Sequence, residues 1–255
     1  MSDLSDSFAA PFRRPAWLRR VLMGAALEGL PVVLVLPILA GLLGHGHRRL
    51  PHPSLALLPL AVLVALAARF LALGYVRRVA LDALEGGSAG LPPWDRPAED
   101  LIEGLKLWLV AMALWLPAVA VTAGLALLVM SLTNPAMAWL PVILVGPPAA
   151  LATILYLPAG LLSAIAGRNA ANAFDVDRVT ATIGSNFGPY LFAFLIAIAA
   201  EIVAQFGLLL CCVGILATRF LAHCVGVYAF ATAYRGAAPA SVSPAVAPAG
   251  ATTAP

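Results

Sequence analysis

The chain has 255 residues; 62% are hydrophobic, 11% are charged, and the formal net charge is +3. Soluble domains run nearer about 45–50% apolar and about 25% charged, so a water-soluble fold is excluded. The basic residues are too scattered for a nucleic-acid surface, and no nucleic-acid-binding motif is present.

In chain order, residues 1–20 form a short interfacial arm. Phe8, Phe12, Trp17 and Leu18 interleave with Arg13, Arg14, Arg19 and Arg20, which suits a segment lying on anionic lipid headgroups. Pro11 and Pro15 exclude one continuous helix before Ala16.

Six apolar runs follow, near 21–44, 54–76, 105–131, 138–167, 189–210 and 213–234. Each is long enough to cross roughly 30 Å of hydrocarbon as a helix. A membrane β-barrel would show roughly ten-residue segments of alternating polarity, and these runs are continuous. The expected fold is an all-α polytopic membrane domain over 21–235. Its six transmembrane helices pair as three hairpins, with short cytoplasmic amphipathic segments before each. The first run exceeds the roughly 7–15 apolar residues of a signal peptide and no A-x-A site follows, so it is read as a retained span.

The first hairpin turns at GHGHRRLPHP, residues 44–53. Its His45, His47 and His52 have the density of a metal site, but Arg48 and Arg49 repel a cation and no carboxylate is close. No metal or other cofactor is assigned. The longest loop, about 77–104, carries GGSAGLPPWD, after which Pro97 opens a helix that runs into the third span. Leu101, Ile102, Leu105 and Leu109 share one face of it. Glu99, Asp100 and Glu103 stand near its positive N-terminal end. With Asp95 they read either as a solvated helix start or as a docking surface for a membrane-protein partner.

The second hairpin turns within 131–139. Pro141, Pro147, Pro148 and Pro158 predict an irregular, kinked fourth span. Residues 168–188 return to the inner side, where Val176, Val179, Ile183 and Phe187 keep the spacing of a short amphipathic helix. Tyr190 to Tyr234 holds the last two spans, with a tight turn near Cys212–Gly214. Cys211, Cys212 and Cys224 form no CxxC motif or disulfide framework and read as packing residues. The tail 236–255 is uncharged and rich in Ala, Pro, Ser and Thr, a composition that stays disordered.

With the N-terminus cytoplasmic, Arg13, Arg14, Arg19, Arg20, Arg77, Arg78, Arg96, Lys106, Arg168, Arg178 and Arg235 fall inside. Only Arg48 and Arg49 fall outside. That bias places both termini in the cytoplasm. Tyr75, Tyr190 and Tyr234 then mark inner helix ends in the manner of an aromatic belt.

Charges within spans are costly and are paired or functional. Glu28 and Arg69 lie at similar depths on the first two spans, roughly 10 Å from the cytoplasmic face at helical rise, and are expected to pair. Folding the last hairpin brings Glu201 level with His223, with Arg219 one turn outward and Gln205 one turn beyond Glu201. This cluster either fixes helix register or relays protons or ions. No GxSxG, HExxH, P-loop or GxGxxG pattern is present, so no enzyme is expected.

Three stretches carry a resemblance. LALGYVRRVALDALEGGSAGLPPWD (71–95) with DLIEGLKLW (100–108), SNFGPYLFAFL (185–195), and LLLCCVGILATRFLAHCVGVYAFATAYR (208–235) resemble a prokaryotic integral-membrane family, domain of unknown function 4013. The shared features are a GY–R–R helix end, an LPxWxD-type loop before a GLK helix, a Gly/Pro–Tyr start to the last hairpin and a CCxG stretch leading to a terminal Tyr-Arg. The outer loop 45–53 departs from it, being longer and more basic. The resemblance implies a multi-pass helical protein of the prokaryotic inner membrane. It implies no activity, cofactor or catalytic residue. The expected role is a non-enzymatic accessory or scaffold component; the alternative is a small transporter or channel for a solute, ion or lipid.

Overall fold

The computed structural model describes residues 9–44, 52–86, 90–132, 137, 139–207 and 211–237, without the side chains of 10, 35–44, 52–57 and 211–213. His45, His47 and the tail from 238 onward lie outside the described residues, and so do the side chains of His52, Cys211 and Cys212, on which the metal question and the cysteine pair turn.

Among the described residues every regular element is helical. These elements are α1 (Trp17–Gly44), α2 (His52–Leu84), α3 (Pro97–Leu132), α4 (Trp139–Leu144), α5 (Gly146–Ala166), α6 (Val176–Ser185), α7 (Phe187–Gln205) and α8 (Cys211–Ala237). Single 3-10 turns precede α1 at Ala10–Phe12 and α6 at Ala170–Phe174. Five stretches are long and apolar enough to cross a membrane: Leu58–Leu84, Pro97–Leu132, Trp139–Ala166, Phe187–Gln205 and Gly214–Ala237. The chain is thus an all-helical membrane protein. The first expected run lies in α1, whose side chains are described only as far as residue 34.

The proline pattern sets the local breaks. The helix lost at Val145 separates α4 from α5, where Pro147 and Pro148 take the first helical positions and need no donor. Val145 N–H still reaches Pro141 O at 2.8 Å and Ala149 N–H reaches Val145 O at 3.0 Å, so backbone hydrogen bonds continue on both sides of the break. Pro158 sits inside α5. There the Tyr190 hydroxyl accepts from Ala159 N–H at 3.3 Å and donates to Leu155 O at 2.7 Å. A side chain of α7 therefore stands in the backbone ladder of α5 beside its proline.

Packing runs between the expected hairpins as well as within them. α3 packs more extensively on α2 than on α5, and α7 packs most on α8. α1 lies against both α2 and α8. The α2–α3 approach rests on glycine: a Cβ on Gly74 would overlap the Asp100 carbonyl, and one on Gly104 would overlap the Phe70 carbonyl. Small residues at such crossings let backbones meet, which is how membrane helices gain contact.

Three expectations are corrected. Tyr75, Tyr190 and Tyr234 are buried rather than facing lipid as a belt; the first two have found carbonyl acceptors inside the bundle, which removes the need for an aqueous interface. The last turn is earlier than Cys212–Gly214, because α7 ends at Gln205 and α8 already begins at Cys211. Gly207, where a Cβ would overlap the Thr218 hydroxyl, makes that early turn against α8. The amphipathic segment forms, but its four apolar residues do not act together. Val179 is buried and Ile183 packs on the core, whereas Val176 and Phe187 are exposed and Phe187 already opens α7.

Candidate functional site

Two polar constructions stand out, one at the end of the bundle that gathers the arm and the loop before α3, the other inside the bundle.

The first is built from the 71–108 segment. Tyr75 stacks on Trp94 with ring centroids 3.9 Å apart, and its hydroxyl donates to Pro92 O at 2.7 Å. Trp94 Nε1 donates to Arg20 O at 3.1 Å, and Arg20 donates to Leu91 O, tying α1 to the same loop. Arg78 divides its guanidinium between Asp95 at 2.6 Å and Asp100 at 2.7 Å. Arg77 meets Glu103 at 3.3 Å, Lys106 meets Glu103 at 2.7 Å, and Arg96 meets Glu99 at 3.5 Å. The reading of Asp95, Glu99, Asp100 and Glu103 as a solvated helix start fails at Asp100, which is 1% exposed. Arg78 drew it inward. All four carboxylates have partners within the chain. The hydrogen bond from Arg78 holds the Asp95 carboxyl below its ordinary range.

The second construction joins residues that the sequence placed in two separate sets. Arg69 Nη1 lies 3.6 Å from Glu28 Oε1. The same carboxylate oxygen lies 2.9 Å from His223 Nδ1, and His223 Nε2 lies 3.3 Å from Glu201 Oε1. Four helices, α2, α1, α8 and α7, thus contribute one residue each to a continuous chain, Arg69–Glu28–His223–Glu201. Glu28 is buried, His223 is partly buried and the ends are open: the Glu28 side chain is 7% exposed, His223 29%, Arg69 46% and Glu201 41%. Arg219 and Gln205 are exposed and outside this chain. Among the described residues no ion pair includes Arg219, so the expected triad becomes Glu28–His223–Glu201.

The link missed by sequence reasoning is Glu28 to His223, across 195 residues. Hairpin logic cannot reach it, because it depends on α1 lying against α8. The signal was present in the glycines on either side of Glu28. A Cβ on Gly24 would overlap the Phe220 ring, and one on Gly29 would overlap Leu216, both on α8.

Glu201 and Gln205 open onto a shallow groove of about 360 Å³, walled by Phe194, Ala197, Ile198, Ile202 and Phe230. Among the described residues no three His, Cys, Asp or Glu side chains are arranged to hold a metal ion. The network is suited to sharing a proton or opposing a cation, because each His223 nitrogen faces a carboxylate oxygen.

A family model described as protein of unknown function, DUF4013, matches residues 57–213. The chain belongs to that family. No curated protein and no solved structure matches it.

Proposed function

We propose that this member of the DUF4013 family is a non-enzymatic component of a membrane assembly, spanning the prokaryotic inner membrane six times with both termini in the cytoplasm. α1 is the sixth span, and the basic residues near helix ends set the orientation. The observation that carries the assembly reading is the exposure of Arg69, Glu201, Gln205 and Arg219 within membrane-length helices. Lipid cannot solvate these groups, so another chain or a water-filled contact must cover them. Extraction in native-lipid nanodiscs followed by mass spectrometry tests this. A stoichiometric membrane-protein partner is expected, and a photocrosslinker at Ile202 should capture it. A homogeneous single-chain particle with lipid alone would sink the reading.

A second reading is transport, with the Glu28–His223–Glu201 chain as a proton or ion path. It is favoured by the unbroken contact from buried Glu28 to half-exposed Glu201. In proteoliposomes it requires a pH-dependent flux that Glu201→Gln abolishes while the protein remains folded.

A further inference from the structure

We infer that the groove beside Glu201 binds a lipophilic organic monocation, with the Glu201 carboxylate as its counter-ion and the His223 proton given up in exchange. This rests on the second reading of the site and names its ligand class.

The groove supplies what such a ligand needs. Its volume of about 360 Å³ falls in the range of small-molecule sites, roughly 300–1,000 Å³. The walls are apolar, and Phe194 and Phe230 meet edge to face with centroids 4.7 Å apart. Aromatic faces attract organic cations once water is removed. Gln205 adds one amide at the rim. The only charged side chain among its lining residues is Glu201, so charge complementarity selects a cation.

Glu201 is also the carboxylate with room for another partner. Its contact with His223 Nε2 is 3.3 Å and 41% of its side chain is exposed, whereas Glu28 is buried and holds the other ring nitrogen at 2.9 Å. The charged groups around the imidazole are Glu28 from α1, Glu201 from α7 and, through Glu28, Arg69 from α2. Arg219 is on the same helix but outside the chain. With His223 protonated, two positive groups balance two carboxylates. A cation arriving at Glu201 leaves one positive charge too many within the membrane. Neutrality returns when the proton leaves His223, and Nδ1 or Nε2 remains as an acceptor. By linkage the proton and the ligand then weaken one another equally.

The full chain in phosphatidylcholine nanodiscs is titrated calorimetrically with tetraphenylphosphonium, in two buffers of different ionisation heat. Expected is saturable binding that tightens by up to about tenfold per pH unit as pH rises, with about one proton released per cation. Glu201→Gln should weaken it by about thirtyfold or more. Ile198→Trp, at an exposed position on the groove wall, should block binding without touching the network. Equal binding by the wild type and both variants, or simple partitioning into the disc, overturns the site. Saturable binding with no proton release overturns the exchange. Binding without flux in proteoliposomes sinks the transport reading and leaves the cation site standing.

Discussion

The Arg78 knot and the His223 chain use the same ingredients, arginines against carboxylates, and reach opposite states. At the knot, Arg78 bonds two aspartates at 2.6 and 2.7 Å, with Tyr75 stacked on Trp94 beside them. In the His223 chain the contacts lengthen from 2.9 to 3.3 and 3.6 Å, and both terminal side chains are nearly half exposed. At the knot Arg78 and Asp100 are covered and Asp95 alone, 52% exposed, faces out; in the His223 chain both charged ends do. A buried charge pair is costly to break. A chain with open ends can be altered at those ends at little structural cost, which is where exchangeable chemistry belongs.

The largest effect should come from breaking the knot. Asp100→Ala leaves Arg78 without its buried partner and is expected to cost about 3–5 kcal/mol, read as loss of the folded fraction in detergent unfolding. Gly104→Leu should match or exceed it, because its side chain would meet the Phe70 carbonyl directly. If both variants melt like the wild type, the knot is not what joins α2 to α3.

Next comes the Tyr190 hydroxyl. Tyr190→Phe removes the donor to Leu155 O and the acceptor for Ala159 N–H, and should cost about 1–3 kcal/mol. Hydrogen exchange should rise at Ala159 in particular; a uniform rise along α5 would mean that the hydroxyl does not support the proline site locally.

Glu201→Gln should change stability by less than about 1 kcal/mol, since its group is half exposed and its ion contact is long. A much larger loss would make the open end of the network as structural as the knot and erase the contrast between them. Smallest is the pH effect of Asp95, whose carboxyl is held below its ordinary range by Arg78. Its contribution is fully present above the unfolded carboxylate range and disappears as pH falls through the lower folded value. Melting followed from pH 6 down to pH 3 should show an acid loss that Asp95→Asn lacks.

The sequence carried the levels of the charged groups better than their neighbours. Glu28 and Arg69 were placed together because a hairpin and a fixed helical rise determine depth. Glu201 and His223 followed from the same folding of the last two spans, even though α7 ends at Gln205 and α8 has already begun at Cys211. Facing was harder. Tyr190 sits in the first turn of α7 and Tyr75 well inside α2, yet which way they point depends on carbonyls offered by Pro92 and Leu155 in other segments. Asp100 shows the same limit: near a helix N-terminus a carboxylate is ordinarily solvated, and only the Gly74–Gly104 crossing brings Arg78 close enough to bury it. The contact of first helix with last was written in Gly24 and Gly29, but a glycine marks a close approach without saying to what.

The 195-residue interval between Glu28 and His223 has a consequence for biosynthesis. At about 5–20 residues per second the ribosome needs roughly 10–40 s to bring the imidazole after the carboxylate. Through that interval Glu28 has Arg69 as its available partner, and the bundle stays unlatched. α8 is the helix that completes the charged site begun on α1. A chain cut short before His223 therefore leaves Glu28 with Arg69 as its one partner from this network.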